Sequence, residues 1–411
     1  MNQKMLYTYV GIDSHKATHT AVFIDCFFGK IGEICFNNLP SEFPAFLEDA
    51  NKLKVEGTTL LFGLEDISSY GRNLLRFLKD NEQKIKHINP FLVSSERKNR
   101  NVARKSDSVD AECAARVLLS KFGEHPDVEP LDIIWTLRTI VTRRRQIVKD
   151  NTGIKSTLHS MLMCHYPNYK NFFSNIDCNS SLEFYNKYPS PNKLNGTTVE
   201  ELTMFLLKTS NHYYGEAKAV EILSSIEDTT VEFQELRDES VQSSIRQLKF
   251  NIEEMEKLEI VIARALENFN TPLLYMTGFD IVSVAQLLVC IGDIKRFPKS
   301  GKLAQYAGVA PVTFASGKTD KQYSNRKGNR ELNSLFYNLA LRVSMPVGSS
   351  KKIVNTFFYE YYNRKLSEGK TKRQALKCVE RRLVHIIWTM LTNNEEYVNP
   401  PTYDLQISVR A

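Results

Sequence analysis

The chain has 411 residues, 42% of them hydrophobic and 25% charged, with a formal net charge of +7. That length exceeds one ordinary core and predicts two or three domains, and the balance excludes a disordered chain. The positive excess is mild and permits nucleic-acid binding without establishing it. The seven cysteines are scattered with no C-x-x-C spacing, which argues against a disulfide framework and a structural zinc. The N-terminus has no apolar secretory segment, and the longest apolar stretch, Ile281 to Ile291, is too short to span a bilayer. The expectation is a cytosolic protein without membrane contact, placed in a bacterium beside the nucleoid.

Residues 1–130 alternate strands and helices. Residues 7–12, 17–24 and 30–36 read as strands, and a helix follows Pro40-Ser41 with Phe43, Phe46, Leu47 and Leu53 inward. Residues 58–64 make a fourth strand, Tyr70 to Lys79 an amphipathic helix, and Lys84 to Ile88 a fifth strand. Pro90 opens another helical stretch. This order is that of a ribonuclease-H-like α/β fold. Residues 131–270 read as helical. Val241, Ile245, Leu248, Ile252, Met255, Leu258, Ile262 and Leu266 recur at steps of three and four, the spacing of a coiled-coil seam or of one long packed helix. Leu137, Ile140, Ile147, Ile154, Leu158 and Met161 form a companion stripe, and residues 165–215, rich in Asn, Ser, Tyr and Pro, an irregular insertion with short helices. Residues 271–411 read as a mainly α domain. A Gly278 turn precedes an apolar helix, with backbone amides able to face a phosphate. A Gly- and Ser-containing loop covers 308–329, and helices follow around 330–345, 350–366 and 371–392. No G-x-x-x-x-G-K loop supports ATP-driven chemistry.

Asp13 ends the first strand and Glu65 the fourth, while Asp107 and Asp110 stand three apart on a helix and share one face. If the two strands are parallel neighbours, Asp13 and Glu65 emerge at one sheet edge and the 107–120 helix closes the set from above. Four converging carboxylates repel one another and need a cation, and hard oxygen ligands suit Mg²⁺ or Mn²⁺. Two such ions serve phosphodiester displacement. Removing one of the acids should relieve repulsion. Singly, each acid is also a plausible cap or surface charge, Asp107 above all. Asp25, Glu33 and Asp66 are the nearest competitors for the site.

Arg97, Lys98, Arg100, Arg104 and Lys105 precede the acidic pair, a strip suited to phosphates or an ordinary solvated helix face. Arg143, Arg144 and Arg145 form a second basic run whose side chains diverge. Around Ser316-Gly317 stand Lys318, Lys321, Arg326, Lys327 and Arg330. A serine among cations is a candidate nucleophile on phosphorus. On composition alone a phosphate-binding loop is the stronger reading.

With VGIDSHK at Asp13, GLED at Glu65, KSDSVDA at Asp107 and Asp110, then GDIKRF, YAGVAP before the SGK of Ser316, RKGNRELN and ALKCVERRLVHIIWTML, the chain resembles the insertion-sequence one-ten family of transposases. That family includes Piv-type invertases and bridge-RNA-guided recombinases. The resemblance spans about 8–120 and 270–395. It implies a RuvC-like domain with a catalytic DEDD tetrad at Asp13, Glu65, Asp107 and Asp110, binding Mg²⁺ or Mn²⁺. It further implies Ser316 as the attacking serine, donor and target DNA as substrates, a bridge RNA as guide, and a synapse of several subunits, dimer or tetramer, in which one subunit completes the site of another. Two departures stand out: Ala315 and Lys318 flank Ser316-Gly317 in place of a longer Ser-Gly-Gly stretch, and Met276-Thr277-Gly278-Phe279 replaces Pro-Gly-Ile-Gly. The alternatives are a site-specific invertase or RuvC-like nuclease without a guide, and a non-catalytic nucleic-acid-binding protein.

Overall fold

Apolar runs bounded by turns make the first strands. β1 (Tyr7–Ser14), β2 (Thr18–Ile24) and β3 (Lys30–Asn37) form an antiparallel meander. α1 (Phe43–Leu53), β4 (Thr59–Leu64), α2 (Arg72–Asp80), β5 (Lys84–His87), α3 (Pro90–Asn99) and α4 (Asp107–Ser120) follow. The computed structural model describes residues 3–65, 69–100, 106–125, 128, 132–227, 232–316, 319–323, 325, 328–348 and 350–398, without the side chains of 132, 313–316 and 319–323.

The five strands lie in the order β3-β2-β1-β4-β5. β1 runs parallel to β4, and β4 parallel to β5. Successive side chains of a strand point to opposite faces, so the sheet has two apolar sides. Val10, Ile12, Phe23, Leu60, Phe62 and Leu64 pack with Phe43 and Phe46 of α1 and Leu74, Leu75 and Leu78 of α2. Tyr9, Val22, Ile24 and Leu61 pack with Val93 of α3 and with Ala111, Ala114, Ala115 and Leu118 of α4. A mixed α/β unit of three layers results, and Phe36 stacks on Phe46 at 4.0 Å between ring centroids.

α4 sits unusually close to the sheet. A Cβ on Gly11 would lie 2.1 Å from the Ala111 carbonyl oxygen and 2.3 Å from the Ala115 nitrogen. Only glycine admits the helix backbone at that distance, and the run of small residues on the facing side of α4 completes the fit.

Contacts divide the chain into two compact units, Met1–Trp135 with Ile291–Leu303, and Thr136–Cys290 with Ala304–Ala411. The second is largely helical. α5 (Asp132–His165) and α9 (Gln234–Leu266) are its long elements. Arg144 reaches Glu259, Asn151 reaches Asn251, and Leu158 and Leu162 cluster with Val241, Ile245 and Leu248. Numbers rise on one helix as they fall on the other, so the pair is antiparallel. The buried Asn251 amide donates to the Asn151 carbonyl oxygen at 2.6 Å, a polar contact that disfavours slippage of the seam. Between these helices α6 (Asn179–Lys187), α7 (Val199–Thr209) and α8 (Glu216–Ser224) enclose an aromatic core of Tyr166, Phe172, Phe184 and Tyr185.

α10 (Ile281–Ile291) and α11 (Ser300–Tyr306) precede a hairpin of β6 (Val312–Ser316) and β7 (Thr319–Tyr323). The segment expected as a loop at 308–329 therefore contains a two-stranded sheet, because Val312, Thr313 and Phe314 favour extended backbone. α12 (Arg330–Ser344) packs on the last helix. A short hairpin of β8 (Pro346–Val347) and β9 (Lys352–Ile353) delays the helix expected from 350, so that α13 (Thr356–Ser367) starts behind its Asn355 cap. α14 (Lys372–Asn393) ends the described fold.

Gly11→Ala should lift α4 from β1 and cost about 1–3 kcal/mol or more through overpacking. Gly301→Ala, in a helix with open space around it, should be neutral or slightly stabilising. Urea unfolding of both variants checks the contrast.

Candidate metal centre and nucleic-acid interface

The register of the sheet determines where the acids emerge. Ile12 pairs with Leu64 in the parallel β1–β4 ladder, so Asp13 and Glu65, each the next residue, leave the same edge. The seating of α4 against Gly11 brings its first turn to that edge. Ser106 caps α4 by accepting from the Val109 N–H at 3.3 Å, so Asp107 is not spent as the cap. Asp107 and Asp110 lie in the first turn, where the helix dipole favours negative charge.

His15 completes the cluster. Its Nε2 lies 3.2 Å from Asp13 Oδ2 and 3.2 Å from Asp107 Oδ1. One donor atom from each of Asp13, His15 and Asp107 fits within a mutual separation of 4.8 Å. Burial pushes the Asp13 carboxyl above the ordinary carboxylate range, His15 pulls it back, and the negative charges of Asp110 and Asp107 push it up again. Asp110 is buried and its carboxylate accepts a close hydrogen bond from Arg97. Asp13 and Asp107 thus meet through His15, and Asp110 acts on Asp13 by its charge. Glu65, half-buried, follows the last paired residue of β4 and is placed at this sheet edge by register alone. His15 was not singled out from the sequence. The only signal was its place two residues after a strand-end acid.

The competing acids have local roles. Asp25 Oδ1 accepts from the Phe27 and Gly29 N–H groups of a turn. Glu33 accepts from Lys30 at 2.7 Å and from the Ser108 hydroxyl at 2.5 Å. Asp66 lies outside the described residues.

Of the first basic strip, Arg97 is taken by Asp110, and Arg100 pairs with Glu112 of α4 at 2.9 Å. Lys98 is exposed, while Arg104 and Lys105 lie outside the described residues. In the second run Arg144 bonds Glu259, Arg145 pairs with Glu331, and Arg143 is exposed, which matches the expected divergence.

Ser316 is the last residue of β6 and pairs with Thr319 across the hairpin. Lys321 lies on β7, exposed Arg330 opens α12, and Lys318, Arg326 and Lys327 fall outside the described residues. The base of the hairpin is fastened by side-chain amides. Asn325 donates to the Gln305 carbonyl at 3.0 Å and Asn333 to the Ala307 carbonyl at 3.0 Å. A Cβ on Gly328 would meet the Gly308 nitrogen at 2.3 Å, so this close approach also requires glycine. The asparagines that anchor this region act across long separations and carry no local sequence signal.

The Gly278 turn precedes α10 as expected, but an internal acid holds the helix start. Asp280 accepts from the Ser283 N–H at 2.7 Å and forms an ion pair with Arg342. Burial alone would raise its carboxyl; the Ser283 and Arg342 bonds outweigh that and hold it low. A carboxylate already occupies the position expected for a phosphate.

Two family models match the chain. The DEDD transposase model of IS110 covers residues 10–167, and that of the transposase IS116/IS110/IS902 family covers residues 270–353. The chain belongs to the IS110 family of transposases. It is 25% identical to the uncharacterized 44.8 kDa protein of insertion element IS116 from Streptomyces clavuligerus, over 96% of each chain. It is 24% identical to the insertion element IS900 protein of Mycobacterium paratuberculosis, over 95% of this chain and 96% of that one. It is also 22% identical to the pilin gene-inverting protein of Moraxella bovis, over 96% of this chain and 98% of the relative. The first family model includes Asp13, Glu65, Asp107 and Asp110, and the second includes Ser316. An IS110-family transposase is an enzyme of DNA cleavage and strand transfer. Among its described residues, no helix is long and apolar enough to cross a membrane.

Because the folded state raises the Asp13 pKa, the stability tied to its protonated form is present in acid and is lost as pH rises through the raised value. Asp13→Asn should therefore raise Tm at neutral pH, with the gain closing as both proteins are acidified. For Asp110 the Arg97 pair overturns the expectation that losing an acid relieves repulsion: Asp110→Asn should lower Tm, since it leaves the partly buried Arg97 guanidinium without its carboxylate. Thermal melts across pH check both signs.

Proposed function

We propose that this transposase cuts and rejoins donor and target DNA with a divalent cation held at Asp13 and Asp107, completed by Glu65 and Asp110, and with Ser316 as nucleophile. The convergence of Asp13, His15 and Asp107 within 4.8 Å supports this reading most directly. The donor set fits a cation: a half-buried carboxylate whose charge is disfavoured by neighbouring acids gains most from one. Oxygen donors suit Mg²⁺, and a nearby imidazole makes Mn²⁺ an equally good fit. Such an ion supplies activation of an attacking oxygen and stabilisation of a leaving one. The order β3-β2-β1-β4-β5, with its antiparallel meander and parallel β1-β4-β5, supports a ribonuclease-H-like, RuvC-like assignment. Functional division at about 130 and 270 follows from the same reading.

The protein's own groups divide the remaining work. His15 bridges Asp13 and Asp107 and keeps them together when no cation screens them. Arg97 orients Asp110 from the far side. Lys98, Lys318, Lys321, Arg326, Lys327 and Arg330, with Arg100, Arg104 and Lys105, are proposed to hold DNA phosphates. Ser316 Oγ attacks phosphorus, forming an O–P bond and releasing a sugar hydroxyl, and a second sugar hydroxyl later displaces the serine. We include in the proposal a bridge RNA as guide, a homo-oligomeric synapse and a cytoplasmic, nucleoid-associated location. Similarity to the pilin gene-inverting protein along nearly its whole length favours a second reading, a site-specific invertase that needs no guide.

Asp13→Ala should reduce strand cleavage by on the order of 10³-fold and abolish the rise in Tm that Mg²⁺ or Mn²⁺ gives the wild type. Retention of cleavage by that variant would remove the metal-site reading. Ser316→Ala should stop strand exchange while leaving DNA binding intact, and a protein–DNA adduct that persists in it would contradict the serine role. Protein purified from cells carrying the gene with its flanking DNA should bring down a discrete RNA. Full recombination by RNA-free protein would instead select the unguided invertase.

A further inference from the structure

The helical insertion carries a cleft of about 410 Å³, open to solvent and lined by the second half of α5, the chain before α6 and α6 itself. That size falls within the range of about 300–1,000 Å³ typical of small-ligand pockets. Tyr169, Phe173, Tyr185 and Ser181 line its wall, and His159 and Lys170 are exposed beside it. His159 is held upright by a 2.9 Å hydrogen bond between its Nδ1 and the Tyr169 hydroxyl. Lys155, also a lining residue, is paired with Asp177 at 2.8 Å. That pair is neutral overall, and Lys170 makes no ion pair among the described residues.

Two independent observations mark the cavity as a site for a ligand. The first is Ser181. It is 1% exposed, and its hydroxyl has no hydrogen-bond partner among the described residues. A buried hydroxyl without a partner carries a desolvation penalty that Ser→Ala would remove, so its place beside a cleft favours a partner, a water or a ligand group, that the cleft admits. The second is the start of α6. Cavity residues Ser174 to Asp177 lead directly into it, and its N-cap residue, Cys178, offers no capping side-chain hydrogen bond. An uncapped helix start of nine residues next to a lysine and a hydroxyl favours an anion.

Aromatic walls, a cation, a hydroxyl and a helix start together fit a nucleotide better than a bare anion. Proteins that hold single strands place bases against aromatic rings and phosphates against lysine. We propose that this cavity takes one unpaired nucleotide of a nucleic-acid strand, with its phosphate near Lys170, Ser181 and the start of α6, and its base against His159 and the aromatic wall. A paired base inside a duplex offers no free ring face and is excluded. The choice of ligand class rests on the family's work on nucleic acid, whereas the site is separate from the acid cluster and does not depend on it.

The test uses the full chain with divalent ions chelated, so that no strand is cut. A single strand of roughly ten nucleotides carrying a photoreactive thymine or uracil is irradiated with the protein, and the crosslinked peptides are mapped. Crosslinks within 155–185, from a ribose or a deoxyribose strand, are expected, and the matching duplex should not compete for them. Ser181→Ala should keep or raise Tm while weakening the single strand about three- to tenfold, the equivalent of one hydrogen bond. Lys170→Glu should weaken it by about tenfold or more. Asp13→Ala should crosslink as the wild type does, which separates this outcome from the fate of the metal site. Crosslinks only outside 155–185, equal competition by duplex, a lower Tm for Ser181→Ala, or unchanged affinity in both cavity variants would overturn the proposal.

Discussion

The acid cluster depends on one steric contact, the seating of α4 on β1 at Gly11. The two backbones meet where any side chain on residue 11 would strike the Ala111 carbonyl. Asp13 lies two residues beyond the contact on the strand, and Asp107 lies one helical turn before it. Their carboxylates meet at His15 because neither backbone is free to withdraw. The small residues along α4 extend the same constraint, since Ala111, Ala114 and Ala115 are all fully buried against the sheet. Packing density, with the His15 bridge, holds like charges together here against their mutual repulsion.

That arrangement works against the electrostatics, and the surrounding hydrogen-bond donors and guanidinium groups show how the fold offsets it. His15 bridges two of the acids, Arg97 takes Asp110, and Arg100 and Arg116 share Glu112 farther along α4. A basic strip that reads in sequence as a phosphate-binding face is therefore partly committed to intramolecular charge balance. Lys98, exposed and next to Arg97, is better placed to meet a phosphate without disturbing the acids. Arg97 can serve either purpose, but not both at once with one guanidinium edge.

Much of this was legible in the chain. Strand-end acids and an i, i+3 acidic pair carry their own geometry, because a parallel register and a helix face each follow from local rules. The five strands and the antiparallel long helices are likewise products of apolar periodicity. His15 was not legible. A histidine two residues past a strand-end acid has many uses, and only the approach of α4 brings Asp107 to its other side. The hairpin bearing Ser316 was read as a loop because glycine, serine and asparagine outweigh two strands of five residues each. Its anchors act over long separations, Asn333 to Ala307 among them, and no local pattern reports them. Asp280 shows the converse failure: a glycine turn before a helix signals an anion site, while the anion that fills it is two residues downstream in the same chain.

The insertion poses the same difficulty in a different form. Its residues have no period, so the sequence offers only composition, and composition rich in Asn, Ser, Tyr and Pro reads as irregular. In the fold those tyrosines and phenylalanines become a close-packed core of edge-to-face rings, Phe184 against Tyr185 at 5.1 Å and Tyr166 against Phe172 at 5.6 Å. Such a core positions its polar residues as rigidly as any sheet. A hydroxyl left unpaired at its margin is then a specific feature of the design and not slack in a loose segment, because a loose segment would turn the side chain toward water. The insertion is therefore better understood as a second built surface than as a spacer between the long helices. The same reasoning that makes the Asp13 cluster informative applies to it: an arrangement that costs stability persists where something binds.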